Sequence, residues 1–460
     1  MTIRLIFALL LISPLAAISQ TSQQDSLFIR AIFDEALTNS KCYSVLEHLC
    51  TQIGPRLSGS KGAADAVNYM ADVFKKEGFD ATILQEVMVP HWERGNICKV
   101  ALSNSDKSLT LNSCALGGSV GGKVNAEVIM VEHLEDLDSL GEKAIKGKIV
   151  FFTRPMEPRH IHTFEAYGGC VDQRWAGPSK AAKYGAVGTL VRSMSLAEDE
   201  YPHTGAMGYD SLYPKIPALA LSTKSASKLK EYLKKQPKAK LSMEANCAML
   251  PDTLSYNVIG QTNGNSNVNQ FIIVGGHLDA WDNGQGAHDD GAGVVQSFEA
   301  IRILKNLGYE PKNSLRAVLF MNEENGLRGG KKYAAEAEEK QEKHLIAIES
   351  DRGGFSPRGF YIDSKDPKQI EAIAKYRNLL EPYGLHDFKQ GGGGADINPL
   401  KPQGTLCLGY IPDSQRYFDY HHAGSDTFDK VNKRELELGA AAMAAMIYLL
   451  DKYGMPRNQP

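Results

Sequence analysis

Apolar residues change their spacing twice along this chain, and each change predicts a different kind of element. Residues 61–78, KGAADAVNYMADVFKKEG, set Val67, Met70 and Phe74 three and four positions apart. That spacing predicts a helix, with Ser60 as its cap and Gly78 as its stop. DATILQEVMVP follows as a strand. Beyond Ser255 the apolar residues gather into short unbroken runs: FIIVGG (271–276), AVLFMN (317–322), LIAIES (345–350) and TLCLGY (405–410). Such runs predict strands covered on both faces. Helical spacing returns between them, with Val294, Phe298, Ile301 and Leu304 on one face, then in GLRGGKKYAAEAEEK and in the closing RELELGAAAMAAMIYLLDKY. Strand–helix alternation with right-handed crossovers predicts an α/β fold on a mixed, mostly parallel sheet flanked by helices.

Two stretches fall outside this rhythm. MTIRLIFALLLISPLAAISQ places Arg4 before an apolar run from Leu5 to Leu15, then small residues at Ala16, Ala17 and Ser19. That order predicts a cleaved secretory signal at 1–19, too short to span about 30 Å of hydrocarbon. The mature protein is therefore expected in the periplasm or outside the cell, without membrane insertion. Between 117 and 249 the texture is that of a separate unit, with short buried strands in KGKIVFF and AVGTLVRS and a small helix in SKAAKYG. Lys234, Lys235, Lys238 and Lys240 read as a solvated face. The chain thus divides into the signal, a body made of 20–116 and 250–460, and an insertion at 117–249.

Composition narrows the function classes. The 460 residues carry 51 basic and 54 acidic side chains, a net charge of −3 that argues against nucleic acid or an anionic membrane surface as partner. The seven cysteines are odd in number and fit no zinc-ribbon spacing, so they read as buried small hydrophobes.

The chemistry lies at the carboxyl ends of the strands. FIIVGG runs into His277-Leu278-Asp279, AVLFMN into Glu323-Glu324, and LIAIES into Asp351. Asp289-Asp290 sits in a glycine-rich loop after the first, and His421-His422 comes late in the chain. Open α/β sheets gather such ends on one rim. Any one of these groups has an ordinary reading, as a helix cap or a solvated pair. Together they need a cation, and a pair of zinc ions accepts both imidazole nitrogen and carboxylate oxygen.

GGHLDAWDNGQGAHDDGAG, FMNEENGLRGGKKYA, ESDRGG and YHHAGSDT resemble segments of the co-catalytic di-zinc peptidases, nearest the carboxypeptidase Q group. PRLSGSKGAADA extends the likeness, and 117–249, including the PHTG at 202–205, resembles a protease-associated insertion. The resemblance implies the zinc-dependent exopeptidase fold and two Zn2+ per chain. His277 and Asp351 would bind one ion, Glu324 and His422 the other, and Asp289 would bridge them, with a cis peptide after it. His422 is preferred to His421 because Asp426 follows four residues on. Asp279 would orient His277. Glu323 would take the proton of a water shared by the two ions and deliver it to the leaving amine. Asp396, after the glycine run 391–394, would meet a substrate's free amine; Tyr417 and Tyr420 stand near His422, where packing is the first reading and donation to the oxyanion the second.

The expected activity is hydrolysis of dipeptides or short peptides with a free amino terminus. Carboxypeptidase or other amidohydrolase action on the same site is the alternative, and an inactive receptor-like binding protein stands further off. The resemblance leaves a homodimer open. Gly117-Gly118-Ser119-Val120-Gly121 matches the serine-hydrolase elbow formally, but no apolar strand leads into it. No HExxH segment is present, and His160-x-His162 has no carboxylate pattern around it. A related class carries its insertion between the metal-binding segments, whereas here it precedes His277.

Overall fold

Side chains alternate across a strand, so a strand apolar at successive positions must be covered on both faces. The computed structural model describes residues 14–103 and 109–454. Its larger sheet contains β1 (Ala81–Glu93), β2 (Ala248–Thr262), β3 (Asn267–His277), β4 (Asn313–Phe320), β5 (Lys343–Glu349), β6 (Pro357–Ile362), β7 (Asp387–Gln390) and β8 (Leu406–Pro412). The order is β1-β2-β4-β3-β5-β8-β6-β7. The inner four strands β4, β3, β5 and β8 are mutually parallel, while β1, β2 and β6 join antiparallel to their inner neighbours. On β3, Ile272 and Val274 enter one core and Phe271 and Ile273 the other. β4 divides likewise, Leu315, Ala317 and Leu319 against Val318 and Phe320.

Five long helices cover this sheet: α1 (Pro14–Asn39), α2 (Lys61–Lys76), α3 (Ala292–Asn306), α4 (Arg328–Glu339) and α5 (Lys433–Tyr453). α2 starts where its cap predicts, with the Ser60 hydroxyl accepting from Ala63 N at 3.1 Å, and Gly78 beyond its end has φ 68°. α3 departs from its expected one-faced burial. Every residue from Ala292 to Leu304 is buried, because α5, α1, the short helix Cys42–His48 and the sheet enclose it. Its buried charges are paired with each other, Arg302 with Glu299 at 2.7 Å. β2, β6 and β7 have no counterpart among the strands expected from the sequence. β6 and β7 are short strands at one end of the sheet, and the residues of β2 ahead of Ser255 are mostly exposed, so neither shows an unbroken apolar run.

A second, seven-stranded sheet has the order Cys98–Leu102, Lys240–Ala245, Gly122–Val131, Ile149–Phe152, Gly188–Arg192, Ala218–Leu221, Ser113–Ala115. Its two outermost strands lie before Gly117. Composition changes at the Gly117-Gly118 pair, but hydrogen bonding brings Cys98–Leu102 alongside Lys240–Ala245. The seven cysteines are free, and all but the partly exposed Cys98 are buried. The expected export signal lies outside the described residues as far as Ser13, and α1 begins at Pro14. No described helix is long and apolar enough to cross a membrane.

α1 is pinned to the end of the chain by one buried carboxylate. Asp25 accepts from Tyr448 Oη at 2.7 Å, and from Lys452 Nζ and Tyr453 Oη at 2.5 Å each. Burial alone would raise its pKa, but those three donors hold it below the usual carboxylate value. A depressed folded-state pKa contributes stability above the unfolded value and loses it as pH falls through the folded one. Asp25→Asn is therefore expected to lower stability at pH 7 by about 2 kcal/mol. The difference from the parent should shrink below about pH 4, read from thermal unfolding across pH.

Candidate functional site

Three inner strands end on one rim. Gly275 of β3 pairs with Val318 of β4 and Glu349 of β5, so His277, the Asn322-Glu323-Glu324 turn and Asp351 emerge together. Asp289 and Asp290 stand just ahead of α3, and His422 leads towards α5 with φ 61°. The five residues expected to bind metal converge. His277 Nε2 lies 3.3 Å from Asp289 Oδ1 and 3.5 Å from Asp351 Oδ1. His422 Nε2 lies 3.3 Å from Asp289 Oδ2 and 3.1 Å from Glu324 Oε2. Asp289 thus turns one oxygen to each imidazole. His421 is also near, stacked on His422 with centroids 3.5 Å apart, but its Nε2 is 3.8 Å from Asp289.

Carboxylates crowded this closely repel unless a cation joins them. Burial and the neighbouring Asp289 and Glu323 push the Glu324 carboxyl well above its ordinary range. Burial, with Asp351, Asp289 and Asp279 around it, pushes Glu323 up to about 8, opposed by His277. Asp289 Oδ2, Glu324 Oε1 and Asp351 Oδ1 are buried oxygens with no hydrogen-bond partner. Orphaned acceptors aimed at facing imidazoles are the donor set a divalent metal requires. Candidate metal-binding groups include His277 with Asp289 and Glu324, His277 with Asp290 and Asp351, and Asp289 with His421 and His422.

The surrounding hydrogen bonds distinguish adjacent residues of the same type. The Asp290 carboxylate is engaged by His277 N at 3.1 Å and Gly293 N at 3.0 Å, which leaves Asp289 the freer of the pair. The peptide between them is cis. Asp426 accepts from His288 N at 2.8 Å and Asp289 N at 3.1 Å, holding this loop from behind. His288 turns away, its ring 4.2 Å from Phe355 and Nδ1 accepting from Gly354 N. Asp279 corrects one expectation. His277 Nδ1 meets the Asp279 backbone carbonyl at 2.9 Å, and the carboxylate instead accepts from Asn322 N at 2.7 Å and Glu323 N at 3.1 Å. The side chain therefore orients the glutamate turn, and the backbone sets the His277 tautomer.

A cavity of about 700 Å³ opens over the rim, with Glu323, Glu324, Asp351 and Tyr417 on one wall and Tyr167, Trp175 and Met207 from the second-sheet unit on the other. Tyr420 does not line it; its ring packs 5.3 Å from His288. Asp396 is also withdrawn, buried beside Glu349 with neither oxygen hydrogen-bonded. The glycine run before it permits close approach: a Cβ on Gly394 would overlap the Glu349 carboxylate, which accepts from Ala395 N and Ile397 N at 2.8 and 3.0 Å. Ser119 bonds the Val120 carbonyl and the Ala218 amide, so it is no nucleophile. His160 pairs with Glu165 at the surface, away from the cluster.

Arg56 has no counterpart among the expected site residues. It is fully buried and donates to the carbonyls of Leu278, Gln285 and Gly286 at 2.6, 2.6 and 2.8 Å. It thereby fixes the loop that carries the chain from His277 to Asp289.

A mixed α/β sheet with imidazoles and carboxylates gathered at its strand ends defines an α/β protein with a candidate metal centre. Residues 257–447 match the model of peptidase family M28. The chain is 33% identical to carboxypeptidase Q of Xenopus laevis over 92% of its own length and 88% of the relative's. It superposes on the crystal structure of a peptidase M28 precursor from Shewanella amazonensis with a TM-score of 0.90 at 32% identity, covering 95% of this chain and all of that one. A zinc aminopeptidase from Bacillus subtilis shares the fold at a TM-score of 0.64 and 18% identity, over 89% of this chain and 94% of the other. The chain belongs to peptidase family M28.

Replacing Arg56 by Met would strand three buried carbonyls. The expected loss is at least about 3 kcal/mol, with faster amide exchange concentrated at 278–286. Exchange unchanged in that loop would rule out the tether.

Proposed function

We propose that this chain is a zinc-dependent exopeptidase acting on dipeptides or short peptides with a free amino terminus. Asp289, with one oxygen towards His277 and the other towards His422 inside a buried, unneutralised cluster, carries this reading. His277 and Asp351 would hold one zinc ion, Glu324 and His422 a second, and Asp289 both. When bound, such a pair acidifies water and polarises a carbonyl.

The chain's own residues supply the rest. Glu323 lines the cavity beside Glu324 and makes no ion pair among the described residues, so its carboxylate is available to take a proton from the attacking water and return it to the leaving amine. Asp279 holds the Glu323 amide and hence the direction of that carboxylate. Tyr417 contributes to the substrate wall. Asp396 and Glu349 lie behind the rim, where burial pushes both carboxyls up and so favours their neutral forms.

The second-sheet unit is assigned as a protease-associated-type insertion, 117–249 by composition and extended to Cys98 by strand pairing. Residues 1–19 are assigned to export. The relatives named carboxypeptidase Q and zinc aminopeptidase support the reaction class.

Glu323→Gln is expected to keep its zinc and lose about 10²–10⁴-fold in kcat. Near-normal turnover in the zinc-loaded variant would refute the assignment. Dipeptides and longer peptides with free or blocked ends test the substrate reading, and hydrolysis should fall sharply when the amino terminus is acylated. Chelation should abolish activity, and zinc should restore it at two ions per chain. Full activity at one ion would remove the two-ion reading.

A further inference from the structure

The second-sheet unit reaches beyond the cavity wall into the ligand cluster itself. Thr204 N donates to the His422 carbonyl at 2.9 Å, and His203 and Ala423 form an antiparallel bridge. His203 Nδ1 lies 2.7 Å from the His421 carbonyl, and Asn283 Nδ2 donates to the His422 carbonyl at 2.8 Å. The His422 backbone, at φ 61°, is thus gripped from both units.

The same segment meets the ring. His422 Nδ1 lies 3.3 Å from the Thr204 carbonyl, and Arg174 Nη1 donates to that carbonyl at 3.4 Å. Arg174 Nη1 also stands 3.4 Å from Nδ1. A guanidinium only donates, so Arg174 would also suit a bare Nδ1, but Nε2 faces the Asp289 and Glu324 oxygens proposed as metal ligands, which puts the hydrogen on Nδ1 and makes Thr204 O the acceptor both share. Nε2 then carries the lone pair facing Asp289 and Glu324. Gly205 allows this approach. It has φ 128°, and a Cβ there would overlap the Arg174 guanidinium and stand 2.6 Å from His422 Nδ1. Thr204 is itself anchored, with Oγ1 donating to the Ala115 carbonyl at 2.8 Å and accepting from Arg94, which pairs with Asp282.

We infer that the His203-Thr204-Gly205 segment of the inserted unit is a positioning element of the metal centre, setting the tautomer and orientation of His422 through the Thr204 carbonyl. The inference rests on the proposed zinc reading for its metal readout, but the tautomer can be measured without it. The 15N shifts of the His422 imidazole in the purified full chain should report Nδ1–H, and an Nε2–H signal overturns the inference. Gly205→Ala should then retain about one zinc ion per chain where the parent retains two. The zinc concentration for half-maximal activity should rise about 10–100-fold, with kcat recovered at excess zinc and KM little changed. Thr204→Val, which keeps the side-chain shape and removes both Oγ1 contacts, should move zinc affinity in the same direction, and decides the matter if Gly205→Ala does not fold. Folded variants with parental zinc retention overturn the inference. A parent chain that binds no zinc yet shows Nδ1–H would instead refute the zinc reading and leave the positioning role standing.

Discussion

Like charge brought into a buried rim is the constraint around which this molecule is built. Asp289, Glu324 and Asp351 sit where parallel strands end, each with an oxygen that no protein donor satisfies. Buried in this way, such carboxylates must be protonated or joined by a cation. Much of the surrounding structure serves to hold the carboxylates and imidazoles in place. Arg56 fixes the loop from His277 to Asp289, Asp426 fixes the Asp289 amide, and Asp279 fixes the glutamate turn. All three act on backbone atoms. The orientation of the cluster is therefore stored in main-chain hydrogen bonds rather than in contacts among the charged groups themselves.

The rigid platform beneath follows from the same need. α3 begins beside Asp289 and Asp290 and is enclosed on every side. A helix that presents no free face cannot rock about its axis, and its start inherits that rigidity. Packed cores resist small displacements, which suits a site where shifts of a fraction of an ångström matter.

The inner sheet was legible in the sequence because buried parallel strands read as unbroken apolar runs, and the polar residues following such runs must lie on the rim. His277, Glu323, Glu324 and Asp351 were visible for that reason. Separating Asp289 from Asp290, or His421 from His422, required the family resemblance, since neighbours of one type carry no spacing signal. Hydrogen bonding gives the physical distinction, with Asp290 engaged by two amides. Arg56, Arg174 and Thr204 were not legible. Each acts on or through a backbone carbonyl far along the chain, and such contacts leave no periodicity. Short edge strands such as β7, and the strand Cys98–Leu102, escaped notice because partial exposure dilutes their apolar pattern. Asp396 was read as meeting a substrate amine and is buried beside Glu349, while Tyr420, read first as a packing residue, packs against His288.

β1 and β2 flank the insertion and pair with each other along nearly their whole length, Glu93 meeting Ala248 at the end where the chain leaves and returns. The inserted unit is therefore a closed loop on one double-stranded stem, with one core of its own and a second that also takes in Leu57, Trp92 and Trp281 of the body. β1 has no partner until the entire insertion has been synthesised and β2 has emerged, and the sheet's inner strands come later still. The connectivity thereby makes the body's sheet wait on the loop, and the seam between them needs both. The hydrolytic centre lies on that seam, so the chain cannot acquire cleaving power before it is nearly complete.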